Sequence, residues 1–149
     1  MQTTKPRSTV GSTQPVFARS QSLHLIEAQA LFVPTLTDVF REIGLHVDAV
    51  SSDVDLHGLL EEKPDILFVD TDYLKQEPLR AISLLSVLVP DAIICVYTNE
   101  RSAEWANACH FAGAMAVLSK NAHRSEIVEG MHEAMQRHSY TDVRLRRNT

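Results

Sequence analysis

The stretch PDILFVD, residues 64–70, decides the fold. Ile66, Leu67, Phe68 and Val69 are apolar without a break, with Pro64 before them and Asp70 at their end. A short apolar run bounded in this way predicts a strand buried on both faces, because a helix would need a longer periodic segment. A carboxylate that ends such a strand either solvates the strand end or marks a reactive edge.

The pattern repeats outward from this stretch. LHLIE (23–27), HVDAVS (46–51), AIICVYT (92–98) and AMAVLS (114–119) are further strand patterns. Helical patterns lie between them at 31–44, 52–63, 78–89, 101–113 and 123–138. Pro34 belongs in a first helical turn and Pro78 at a first helical position, while Gly44 and Gly113 supply stops. Ser52 or Asp53 is the expected cap of the second helix. The order is (βα)₅. It predicts an α/β fold: a doubly wound, five-stranded parallel sheet in a three-layer sandwich. In such sheets ligands bind outside the carboxyl ends of the strands.

Composition narrows the class. The 149 residues suit one domain with tails, expected as a flexible basic tail over 1–21, a domain over 22–138 and a basic C-terminal tail over 139–149. The formal net charge of −5 conceals an acidic body: residues 20–136 hold seven of the 14 basic residues and 18 of the 19 acidic ones. Direct DNA binding is therefore not expected, since phosphate recognition needs clustered Lys and Arg. The chain has no apolar run long enough to span a membrane and no secretory signal pattern. Cys95 and Cys109 have neither disulfide-framework nor metal-ligand spacing, which suits a reducing cytoplasm. The seven histidines show no ligand spacing and are expected at the surface.

Four polar residues end or follow the apolar strands: Glu27, Asp70, Thr98 and Lys120. The topology gathers them in one cleft. A carboxylate can attack phosphorus, a second acid can help hold a divalent cation, and a hydroxyl and an ammonium can bind phosphoryl oxygens. No nucleotide-binding loop, nucleophile elbow or zinc motif is present, and no enzyme activity is expected.

With PDILFVD ending in Asp70, IICVYT ending in Thr98 and AGAMAVLSK ending in Lys120, residues 23–137 resemble the receiver domains of bacterial two-component response regulators. The segment FAGAMAVLSKNAHRSEIVEGMHEA (111–134) is most similar to receivers that precede a helix-turn-helix output domain. The resemblance implies a flavodoxin-like sandwich. It implies a stand-alone atypical receiver in phosphorelay signalling, with Asp70 as the phosphoacceptor and Thr98 and Lys120 contacting the phosphoryl group. It implies Mg²⁺ held by Glu27, Asp70 and the backbone carbonyl of Asp72, and an output face bearing Trp105 and Val117. Implied partners are a histidine kinase or phosphotransfer protein, and downstream a second protein or a second copy of the chain.

The sequence also departs from the family. Ala28 stands where a second acid normally ligates Mg²⁺, which weakens the expected metal site because Mg²⁺ demands near-octahedral oxygen ligation. Asn99 replaces a small residue, Asp72 adds negative charge, and Val117 replaces a switch aromatic. These departures support an alternative: a degenerate receiver that binds a partner protein without phosphorylation.

Overall fold

The computed structural model describes residues 21–147. Five strands follow the expected pattern: β1 Gln21–Ile26, β2 Leu45–Ser51, β3 Ile66–Asp70, β4 Ile93–Thr98 and β5 Ala116–Ser119. Five helices alternate with them: α1 Val33–Glu42, α2 Leu56–Glu62, α3 Pro78–Leu88, α4 Ala103–Ala112 and α5 Arg124–Met135. A sixth strand, β6 Tyr140–Thr141, completes a parallel sheet in the order β2-β1-β3-β4-β5-β6.

Strand alternation divides the core. Ile66 and Phe68 of β3 pack with Ile93, Cys95 and Tyr97 of β4 beneath Phe40 of α1 and Met131 of α5. Leu67 and Val69 face the other way, with Ile94, Val96 and Val117, toward Leu59 of α2, Ile82 and Leu85 of α3, and Ala106 and Cys109 of α4. Every residue of β3 and β4 is buried, which is why both segments read as unbroken apolar runs rather than alternating ones. The flavodoxin-like, doubly wound sandwich is therefore as expected, apart from the strand count.

Local signals explain the helix ends. Pro34 and Pro78 lie in the first turns of α1 and α3, where a missing N–H costs nothing. The Ser102 hydroxyl accepts a hydrogen bond from the Trp105 amide at the start of α4, and Glu126 Oε1 accepts one from the His123 amide at the start of α5. Gly113 ends α4 at φ 131°, with Ser86 Cβ only 2.6 Å from where a Cβ would stand, so both backbone angle and space demand glycine. The cap of α2 is Asp55, not Ser52 or Asp53: its carboxylate accepts from the Gly58 amide. Asp53 instead accepts from the amides of Val54 and Lys75 and so pins a loop.

Three further expectations are corrected. The sheet has six strands rather than five, and residues 139–147 are not a solvated tail. The Tyr140 amide donates to the Met115 carbonyl at 3.0 Å and the Asp142 amide to the Val117 carbonyl at 2.9 Å, pairing an edge of β5 that would otherwise lie open. Leu145 is buried against the Val117 side of the core, and Arg144 pairs with Glu126 and Asp142. The basic residues of this strap disguised it, although Arg144 and Arg147 pair with Glu126 and Glu104 of the body. His24 is buried rather than at the surface, with Nδ1 2.7 Å from Glu62 Oε1 and Nε2 2.9 Å from Ser51 Oγ. The tail expected over 1–21 lies outside the described residues except for Gln21, the first residue of β1.

Candidate functional site

The sheet order turns between β1 and β3, and the acids stand at that turn. Glu27 follows β1 and Asp70 is the last residue of β3; they are 3 % and 2 % exposed. The Glu27 amide donates to the Ser51 carbonyl, which extends β1 by one rung and aims the side chain inward. The Thr71 amide donates to the Tyr97 carbonyl, and Asp70 Oδ1 accepts from the Asp72 amide at 2.9 Å. The chain therefore turns sharply just beyond the acid.

Lys120 arrives from the end of β5, where its amide donates to the Thr98 carbonyl. Its Nζ lies 2.7 Å from Asp70 Oδ2 and 2.8 Å from Asp72 Oδ2. These are ion pairs by distance, but Nζ and Asp70 Oδ2 lack a well-directed hydrogen bond. Burial opposes the ammonium, yet contacts with Asp70 and Asp72 outweigh it and hold its pKa above the usual range. Three rings surround Nζ: Tyr73 at 5.2 Å, Phe32 at 5.4 Å and Tyr97 at 5.8 Å from ring centroid. Their faces favour the cation and exclude water from it. Tyr73 follows Asp72 and Tyr97 precedes Thr98, so both were visible beside the site residues; Phe32, by contrast, is far from them in sequence.

Glu27 faces Asp70. Its Oε2 accepts from the Gln29 amide at 3.0 Å, and among the described residues Oε1 has no donor. Burial, then a hydrogen bond with the Asp70 carboxyl and its negative charge, push the Glu27 pKa up to about 8. At neutral pH Glu27 is thus mainly a neutral acid that offers its proton to Asp70.

This donor set does not fit a resident Mg²⁺. Ala28 supplies no side-chain oxygen ligand, and Asp70 Oδ2 lies 2.7 Å from Lys120 Nζ. The Asp72 carboxylate is turned onto Thr98, Asn99 and Lys120. Among the described residues no group of three His, Cys, Asp or Glu side chains is placed to hold a metal ion.

The structure brings Glu27, Asp70, Asp72, Thr98 and Lys120 together. The two residues expected on an output face diverge. Trp105 is half-buried on α4 and packs on the core, whereas Val117 is fully buried. Val117 cannot contact a partner directly, because as a central residue of β5 it points into the layer beneath α3 and α4.

No protein-family model matches the chain, and no curated protein matches it. Solved structures do. A LuxR-family two-component response regulator from Aurantimonas sp. SI85-9A1 superposes with a TM-score of 0.78 at 17 % identity, covering 85 % of this chain and 93 % of that one. The chain has the fold of response-regulator receiver domains. The isolated receiver domain of RcsB from Salmonella enterica serovar Typhimurium, solved with the phosphomimetic BeF₃⁻, gives 0.74 at 10 % identity over 85 % and 96 % of the two chains. A response regulator from Burkholderia pseudomallei, with a phosphorylated aspartic acid, calcium ion and citrate, gives 0.66 at 26 % identity over 78 % and 70 %. In this fold, Asp70 ends the third strand at the carboxyl edge of the sheet.

Proposed function

We propose that the chain is a receiver-type module of two-component signalling that acts through protein–protein contact without phosphoryl transfer to Asp70. The observation that carries this reading is the metal half of the site: Ala28 offers no side-chain ligand, and among the described residues no three His, Cys, Asp or Glu side chains are placed to hold a metal ion. A phosphoryl donor would meet Asp70 and Asp72 with Lys120 to screen them and, among the described residues, no set of three acids placed to hold a divalent cation. The partner is a protein of the same signalling system or a second copy of the chain.

A second reading, phosphoacceptance at Asp70, has its own support. Asp70, Thr98 and Lys120 meet at the strand ends, and the Burkholderia response regulator of similar fold carries a phosphorylated aspartic acid. Intact-mass measurement after incubation with Mg²⁺ and acetyl phosphate, alongside Asp70→Asn, separates the two. Unmodified wild type is the expected result. A metal-dependent adduct that disappears in Asp70→Asn would overturn the first reading in favour of the second.

A further inference from the structure

Two hydrogen-bond donors and a cation from the ends of β4 and β5 converge on one carboxylate. Thr98 Oγ1 donates to Asp72 Oδ1 at 3.0 Å, the Asn99 amide donates to Asp72 Oδ2 at 3.0 Å, and Lys120 Nζ lies 2.8 Å from Oδ2. The Asn99 amide also reaches Oδ1 at 3.3 Å. A hydroxyl and a backbone amide that donate to one carboxylate, with an ammonium at ion-pair distance from it, make an oxyanion-binding set. The set is rigid. Thr98 is fully buried, the Lys120 side chain is 4 % exposed, and the three rings fix its ammonium.

The occupant belongs to the chain itself. Asp72 lies two residues beyond Asp70, and its own amide is tied to Asp70 Oδ1, so the carboxylate is delivered without a search. Its side chain, 18 % exposed, forms the outer wall of the site. We infer that Asp72 is an internal oxyanion ligand: it fills a site able to bind inorganic phosphate and similar tetrahedral oxyanions, and keeps them out. The inference rests on the reading above in that a site already filled from within has no need of a transferred phosphoryl group. A tethered ligand competes at an effective concentration of roughly millimolar or more, so ordinary phosphate concentrations do not displace it. Asp70 Oδ2 also lies 2.7 Å from Lys120 Nζ, so removing Asp72 does not strip the ammonium of a counter-ion.

The test is a phosphate titration followed by amide NMR shifts at constant ionic strength, with no divalent metal and no phosphoryl donor. Wild type, Asp72→Ala and Asp72→Ser are compared, the serine variant serving if the alanine variant fails to fold. Both variants are expected to show saturable shifts centred on the Asn99 amide, with apparent affinity at least about tenfold above wild type. Thr98→Val in the Asp72→Ala background is expected to weaken that binding. A folded variant without saturable shifts, or wild type that binds phosphate equally well, overturns the inference. Because no phosphoryl donor is present, an Asp70 adduct in the donor experiment would overturn the earlier reading without changing this result.

Discussion

Replacing Glu27 by Gln isolates the proton that burial and the neighbouring Asp70 favour on Glu27. Gln has nearly the shape of a protonated Glu: its carbonyl accepts from the Gln29 amide, and its amide donates to Asp70 as the carboxyl does. In the wild type the folded pKa of about 8 lies above the unfolded value of 4.5. The folded state therefore binds this proton more tightly. The associated stability is fully present below 4.5 and is lost as pH rises through about 8. Converted in full, that span corresponds to about 5 kcal/mol. Neighbouring charges share the effect, so about 2–5 kcal/mol is expected. Glu27→Gln has no such loss. Urea unfolding followed by circular dichroism should find the two proteins similar near pH 5. The variant should become the more stable by that amount near pH 9. The two proteins differ only at residue 27, so the difference between them reports Glu27. A difference that stays constant across the range, or one that favours wild type as pH rises, would refute the reasoning.

Other consequences follow from single residues. Lys120→Met leaves Asp70 and Asp72 without their shared counter-ion and should cost about 3–5 kcal/mol in urea unfolding at pH 7; a cost near zero would mean that the ion pairs are dispensable. Leu145→Ala should destabilise by about 2–4 kcal/mol, because a fully buried side chain is cut back to a cavity. If residues 139–147 were a solvated tail, the same change would leave the thermal midpoint unmoved. Asp55→Ala removes the cap of α2 and should cost about 0.5–1 kcal/mol, whereas Ser52→Ala should be neutral in the same thermal melts.

Particular residues mark where local reading sufficed. The strand run 66–69 was legible because burial on both faces leaves it without a polar residue until Asp70 ends it. Pro34, Pro78 and Gly113 were legible because backbone geometry constrains proline and glycine wherever they occur. The α2 cap was misplaced because Ser52, Asp53 and Asp55 are all competent acceptors, and only the backbone path selects among them. The strap was missed because its identity depends on a distant edge: Tyr140 and Asp142 gain partners only where β5 leaves its outer carbonyls unpaired.

By itself the sequence determined the alternation of strands and helices, and with it the edge at which Glu27, Asp70, Thr98 and Lys120 had to meet. Periodicity and chain chirality act locally and are written into every segment. Tertiary structure alone decided what those residues do on meeting. It set Glu27 against Asp70, turned Asp72 onto Lys120, Thr98 and Asn99, and closed three rings around the ammonium. Charge state, desolvation and hydrogen-bond direction depend on distances between residues far apart in the chain, and those distances exist only once it has folded.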